Sequence, residues 1–431
     1  MQFSKRQKII LVAGGFLVIV VLVLIFTNTR GGGGNALTAK LTVWGLDDAK
    51  VFDQIKYGYI KTQPGVTVNY VQVNNVEYDS KLLEALALGE GPDVFIVRSG
   101  SLLKDRAKLA PVSATQFGLV NLRDSFPQVV EQDFVSGGKI YALPLFIDTL
   151  ALFYNKDFFD QASIVYPPQT WDDFQADVPL LRQTDEFGNI ARAGAAIGGT
   201  EKTIGAAGDI LSMLMLQNGT KMISSDLQSA IFAGDGARGP GAQALNFYTQ
   251  FANPASKFYT WNDGRGEALS GFASGKAAMV LGYRRDLSTI KKKSPFLNLG
   301  VAPSPQVNKD DTLTYASYEG FGVSKRSVYQ AVAWDFVIYA ATNLNSQRTY
   351  FKTTQKPPAL KKLIAELIND PEMQVFARQA LTARSWTRVD DVQTKQIFSD
   401  AISDVLLSGS DVNKALTKAQ TRVTQILRAK R

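Results

Sequence analysis

The chain of 431 residues contains no cysteine and no histidine. Without cysteine there is no disulfide framework, no thiolate nucleophile, no cysteine-based metal site and no cysteine for a lipid anchor. Without histidine there is no Ser-His-Asp or Cys-His catalysis, no histidine-bound zinc and no ordinary switch near neutral pH. Chemistry by paired carboxylates survives these absences. Other patterns are missing too. The glycine-rich stretches GDGARGPG (234–241) and NDGRGEALSGFASGK (262–276) lack phosphate-loop spacing, because Lys276 is followed by Ala277 and Ala278. DEFGN (185–189) lacks the spaced acids of a calcium loop. No repeat of 20 to 50 residues is present. Net charge is +8, but the basic residues are scattered apart from KKK at 291–293. No basic stripe interleaved with aromatics points to nucleic acid.

What is present divides into an N-terminal segment and a long globular remainder. Hydrophobic residues make up 45% and charged residues 20%, ordinary values for a folded protein with room for two or more domains. Ile9 to Phe26, IILVAGGFLVIVVLVLIF, carries no charge over 18 residues. As a helix it spans ~27 Å, close to a hydrocarbon core. Lys5, Arg6 and Lys8 precede it, which places residues 1–8 in the cytoplasm and the rest outside. A cleaved signal peptide is the competing reading, but the small-residue site Gly34-Asn35-Ala36 lies far beyond the apolar run. Both readings export the protein. Residues 27–39, with GGGG at 31–34, read as a flexible tether.

From Lys40 strand and helix patterns alternate. LTVWG (41–45), VTVNYVQV (66–73) and PDVFIV (92–97) read as strands. Between them run helical patterns through Val51, Ile55 and Tyr59, and through Leu82, Leu83 and Leu86. This β-α-β-α-β order predicts an α/β fold with a parallel sheet. A second α/β region begins near Leu150, with Thr170 as a helix cap, AGAAIGGT (193–200) as a buried strand and KAAMVLGY as another. The last two helices place Ile397, Ala401, Ile402 and Val405, then Val412, Ala415, Leu416, Ala419 and Val423, on apolar faces.

Ligands of parallel sheets sit beyond the carboxyl ends of the strands. That rule selects Asp47 and Asp48 after the first strand, and Arg98 and Ser99 after the third. The plainer readings are a helix cap for either acid and a surface ion pair for Arg98. Trp44 at a strand end and Trp386 in LTARSWTRVDD suit a pocket that stacks on a sugar ring; packing in a loop is the alternative. The apolar stretch IYALPLFIDTLALFYNKDFF (140–159) holds a lone acid, Asp148, which is costly to bury without partners.

GGKIYALPLFIDTLALFYNKDFF followed by TWDDF is the most specific of several stretches that resemble the extracellular solute-binding proteins of ABC importers, in the sugar-binding group that includes maltose-binding protein. LTVWG, EALALGEGPDVFIV, FASGKAAMVLGY, YEGFGVSKRS and DVNKALTKAQTRV extend the likeness from residue 40 to the end. The resemblance implies two α/β lobes of the periplasmic-binding-protein type II fold, joined by a hinge, with ligand in the cleft. It implies a first lobe of 40–147 and 303–345 and a second of 148–302 and 346–431. Asp148 is then expected on the cleft floor, accepting ligand hydroxyls. Gly199, Thr200, Tyr283, Arg284, Glu319 and Trp386 join Trp44, Asp47, Asp48, Arg98 and Ser99 as expected ligand contacts. Tyr283-Arg284-Arg285 stands where a tryptophan is common in the family, and Arg98, Arg284 and Arg384 suggest an acidic sugar. The expected function is a monomeric, membrane-anchored receptor, without enzyme activity or cofactor, that hands a small ligand, a carbohydrate, to the permease subunits of an ABC transporter. An exported carboxylate hydrolase and a sensor or scaffold without a transporter are the alternatives.

Overall fold

The computed structural model describes residues 38–234 and 236–429. The basic N-terminus, the apolar run and the tether up to residue 37 lie outside the described residues. Among the described residues no helix is long and apolar enough to cross a membrane.

The chain enters on strand β1 (Ala39–Gly45), whose alternate residues Ala39, Leu41, Val43 and Gly45 are buried. Ala39, assigned above to the tether, is already in the sheet. Helix α1 (Ala49–Thr62) is capped by the Asp48 carboxylate, which accepts from the Lys50 N–H. It buries Val51, Phe52, Ile55 and Tyr59. β2 (Val66–Gln72) pairs in parallel with β1, Ala39 opposite Val66. α2 (Tyr78–Leu88) stops at Gly89, whose φ of 80° suits glycine. β3 (Val94–Arg98) is buried on both faces through Val97, as a central strand requires. β4 (Leu109–Ala110), helix α3 (Gln128–Phe134) and β5 (Leu143–Pro144) complete this pass.

The chain then crosses through β6 (Asp148–Thr149) into β7 (Ala151–Asn155). In the second region α4 (Trp171–Leu181) starts at a reciprocal cap between Thr170 and Asp173. It is followed by α5 (Ala207–Gln217), β8 (Met279–Gly282) and β9 (Leu299–Pro303). β7 is the middle of an antiparallel β8-β7-β9 sheet. The chain returns through β10 (Thr314–Ser317) to β11 (Glu319–Ser324), which runs antiparallel to β3 in the first sheet, order β2-β1-β3-β11-β4. Helices α6 (Gln330–Thr342) and α7 (Leu344–Thr354) follow. A third crossing runs through α8 (Gln374–Thr382) and β12 (Ala383–Arg384) to α9 (Asp391–Leu406) and α10 (Val412–Ala429).

Two apolar cores result. One gathers Leu41, Phe52, Val94, Val97, Phe134, Trp334 and their neighbours; the other gathers Leu152, Phe153, Trp171, Leu214, Trp261, Leu281, Phe398 and Leu416. Tyr350, Leu360, Leu363 and Ile364 pack in the first core. The sequence reading had placed them in the second lobe, so the third crossing comes later, around α8. The expected strand AGAAIGGT is not regular. Only Ala193 and Ala196 make bridges, to Ala277 and Val280.

The three crossings meet in a small sheet, β12-β10-β6. Gln379 of α8 braces it. Its Oε1 accepts from the Ser304 N–H at 2.9 Å, and its Nε2 donates to Thr149 Oγ1 and the Leu150 carbonyl at 3.0 Å each. Replacing Gln379 by Leu strands the buried Ser304 N–H. The expected cost is about 1–3 kcal/mol, read as a lower urea midpoint at unchanged slope.

Candidate functional site

The carboxyl ends of β1 and β3 and the start of β11 bring polar groups to one edge of the first core. Asp47 is the best defined. Its carboxylate accepts from the Tyr350 hydroxyl at 2.7 Å and from Lys356 Nζ at 2.5 Å. Lys356 in turn lies 4.3 Å over the Phe146 ring. Asp48 is exposed and serves as the α1 cap, the plainer of its two readings. Trp44 is half-buried against the first core, and its carbonyl accepts from Tyr78. Arg98 sits opposite Glu319 in the β3–β11 ladder and donates to Asp79 at 2.6 Å and Asn75 at 3.0 Å. Ser99 is buried, with its N–H on the Tyr318 carbonyl and its own carbonyl accepting from Arg388.

Asp148 is 1% exposed. Its Oδ1 accepts from the N–H groups of Thr149 at 3.0 Å and Arg284 at 2.9 Å. Its Oδ2 accepts from the Arg285 N–H at 3.2 Å and lies 3.8 Å from the Arg285 guanidinium. The expectation of a ligand-facing acid is therefore corrected. The oxygens are taken up by backbone donors, Thr149 of the crossing itself and Arg284 and Arg285 of the second lobe. Burial holds this carboxyl above its usual range, opposed by Arg285 and the two N–H groups.

The second-lobe candidates also turn inward. Thr200 gives its N–H and hydroxyl to Asp263 at 2.9 and 2.6 Å. The Gly199 carbonyl accepts from Tyr248, and a Cβ there would stand 2.7 Å from Asp263 Oδ1. Tyr283 is buried, with its hydroxyl on Asp209 at 2.8 Å. Arg284 is buried toward Met373 and Glu372, at 3.4 and 3.6 Å. Trp386 packs on Phe232 and Phe398 in the core and donates to Ser212, so it is no stacking surface. Neighbours of these residues are more accessible. Arg285 is exposed beside Arg284, and Glu201 is half-buried beside Thr200. Adjacency to an expected residue was the available signal for both. Tyr350 and Lys356 gave none, since they lie about 300 residues from Asp47.

Behind this wall lies a buried charge network. Asp209 pairs with Lys395 at 3.0 Å and Arg388 at 3.8 Å. Arg388 also contacts Asp391 and reaches the first lobe at the Ser99 carbonyl, while its N–H meets the Gly100 carbonyl. Asp133 of α3 is bonded to Ser385 and Tyr318, and burial pushes it up to about 6. Lys104 completes the link from Asp79 at 2.6 Å to Asp390 at 3.5 Å. Arg98 is neutralised by Asp79, Arg284 faces Glu372, and Arg384 donates to the Ala383 carbonyl. Arg98 and Arg284 thus have acidic partners, and Arg384 a backbone one. No cluster of histidine, cysteine and acidic residues fit for a metal occurs among the described residues.

A family model described as bacterial extracellular solute-binding protein matches residues 46–345. The maltodextrin-binding protein MdxE of Bacillus subtilis is 27% identical over 388 residues, covering 84% of this chain and 83% of the relative. A putative binding protein of Brucella abortus is 23% identical, covering 88% and 90%. The sugar-binding protein MalE of Xanthomonas citri superposes with a TM-score of 0.76 at 20% identity, covering 91% of this chain and 98% of that one. That likeness bears out the two-lobed α/β fold.

Glu201 accepts from the Gly208 N–H at 2.8 Å, and burial raises its pKa from an ordinary 4.5 to about 7, with Asp209 and Asp391 adding to the rise. A raised carboxyl binds its proton more tightly in the folded state. Its stabilising effect is complete below about 4.5 and lost as pH rises to 7. The stability advantage of wild type over Glu201→Gln should fall by about 2 kcal/mol between pH 5 and pH 8, measured by denaturant unfolding at both pH values.

Proposed function

Because the chain belongs to the family of bacterial extracellular solute-binding proteins, we propose that it is a receptor that captures a carbohydrate between its two lobes and delivers it to the permease subunits of an ABC transporter. The observation that carries this reading is the presence of two separately cored lobes linked by three crossings, with polar side chains at the strand ends beside them. Hydroxyl-rich ligands suit such side chains, because each hydroxyl both donates and accepts. Related proteins named for maltodextrin and for sugar binding support the carbohydrate class. The candidate contacts are Asp47, Arg98 and Glu319 from the first lobe. No bond is made or broken in this reading. The receptor acts as a monomer, and closure is a rigid-body motion about the crossings.

The reading places the body outside the cytoplasm, held by residues 9–26 as a single-pass anchor and by 27–38 as a tether. The basic flank and the 18-residue apolar run support it.

Two measurements test these statements. The purified full chain in detergent is titrated with neutral, acidic and amino sugars while thermal stability is followed. A bound sugar at 100 times its dissociation constant raises stability by ~2.7 kcal/mol and is recovered unchanged. Absence of any shift, or turnover of the sugar, sinks the receptor reading. Separately, the full chain expressed in a bacterium should stay with the membranes through an alkaline wash. A soluble product beginning near residue 37 would instead show cleavage after Ala36.

A further inference from the structure

Resting on the anchor and tether proposed above, we infer that the end of the second lobe remote from the crossings docks on the anionic headgroup surface of the membrane, with the Phe296 ring entering the interface and Lys156, Lys276, Lys292 and Lys293 around it facing lipid phosphates.

The β8-β7-β9 sheet fixes where this end lies. β7 leaves the crossings at Ala151 and finishes at Asn155. Met279 of β8 pairs with Tyr154 and Leu299 of β9 pairs with Asn155, so both lie at the far end. The length of the strand puts that end roughly 15 Å beyond Ala151. Lys156 follows β7 there, and Lys276 shortly precedes β8. The helix Leu287–Lys293 runs out to the same end, and the loop after it leads into β9. Three separate segments thus bring the four lysines to one end of the lobe.

Phe296 sits on a pinned turn. The Leu297 N–H donates to the Ser294 carbonyl at 3.2 Å, with Pro295 and Phe296 at the centre. Proline presets the backbone at the first central position. The Ser294 hydroxyl donates to the Ala273 carbonyl. Asn298 donates to Asp157 at 2.8 Å, and its carbonyl accepts from the Lys156 N–H at 2.9 Å. These bonds tie the turn to the segments that carry Lys276 and Lys156. Leu297 packs on the second core, whereas Phe296 is 99% exposed. A ring held out on a fixed turn has little freedom left to lose on docking, and it leaves water only against an apolar phase.

The four lysines are exposed, and none makes an ion pair or side-chain hydrogen bond among the described residues. Lys291 is paired, with Glu372 at 3.0 Å. Lysines in a last turn complement the helix carbonyls, which accounts for Lys292 and Lys293 but not for Lys156 or Lys276. The exposed acids beside Lys156 are Asp157 and Asp160, so cations outnumber them, four to two. Cations around an exposed aromatic match the bilayer interface, where lysines meet phosphate and the ring reaches the acyl boundary. A soluble polyanion would satisfy the lysines and leave the ring in water. Residues 27–38 span at most ~40 Å, and a compact body of this length is roughly 55 Å across. An anchored chain therefore stays within its own diameter of the headgroups. The tether joins the first lobe at β1, and this contact adds a second attachment on the other lobe.

The test places the full chain in nanodiscs of phosphatidylcholine, with or without phosphatidylglycerol. The chain has no cysteine, so Pro295→Cys supplies one labelling site beside Phe296 for a fluorophore. Nitroxide-headgroup lipid should quench that label in anionic discs at low salt. Quenching should fall at least about fivefold in neutral discs or at high salt, since each lysine near an anionic surface is worth about fivefold in binding. Lys292→Gln with Lys293→Gln, and separately Phe296→Ser, should lose most of the quenching at unchanged melting temperature. The same label at Val76→Cys, 92% exposed on the first lobe, should not respond to lipid charge. Equal quenching in neutral and anionic discs, or quenching that survives Phe296→Ser, overturns the inference and leaves the anchor standing. A chain that elutes apart from the discs removes the anchor and this inference together.

Discussion

The buried Asp148 carboxylate is the contact on which the geometry between the lobes depends. It belongs to the first crossing segment, yet its oxygens hold the Arg284 and Arg285 N–H groups at the end of the second lobe's strand β8. A carboxylate at 1% exposure survives only with such donors. The consequence runs in two directions. The Ser317–Asp148 pairing carries the constraint into β10 and so to Glu319 at the head of β11. The turn that Asp148 pins forces Tyr283 inward and Arg285 outward. One buried charge thus fixes the phase of the wall and its distance from the facing strand.

The two lobes present themselves differently. The first offers side chains at strand ends, where a helix cap, an ordered acid and a ladder pair lie side by side. In the second, the strand-end residues are consumed in the fold, and the groups one position away are more exposed. Behind them Asp209, Asp391, Arg388 and Lys395 balance one another at low exposure. Arg388 and Asp391 shift each other in opposite directions, the arginine upward and the aspartate down to about 2. Removing one member leaves an uncompensated buried charge, so the network behaves as a unit.

Much of the fold was legible from periodicity. The alternation around Leu41 and Val43, the Thr170 and Asp48 caps, and the apolar face of Ile397, Ala401 and Ile402 follow from local sequence and stand in the structure. AGAAIGGT is buried as expected but irregular, with bridges only at Ala193 and Ala196. A Cβ at Gly194 would stand 2.1 Å from the Val178 carbonyl oxygen, so that glycine admits helix α4. Which strand-end side chains are exposed on the second lobe was not legible. Sequence marks where a strand ends, but a single step along extended backbone reverses the side a residue faces. The choice between Arg284 and Arg285 is made by Asp148, which lies 136 positions away. Tyr350 and Lys356 reach Asp47 from an even greater separation, set by how α7 packs on α1 in the first core.

Charge pairing also bears on how capture is coupled to closure. A receptor that moves from 1% to 99% closed on binding needs a ligand that favours the closed form by about 5.5 kcal/mol. Contacts made equally in both forms contribute nothing to that shift. Arg98 and Lys356 have carboxylate partners on their own lobe, so hydrogen bonds to them alone do not distinguish the forms. The distinguishing term has to come from groups that only a closed cleft brings to one ligand. Three or four charge-assisted hydrogen bonds, at about 1.5–3 kcal/mol each, span the needed energy. The arrangement of the lobes also draws on charged groups, since Lys104 reaches Asp390 and Arg388 reaches the Ser99 carbonyl beside the neutral brace through Gln379, so closure has to work with or against these contacts.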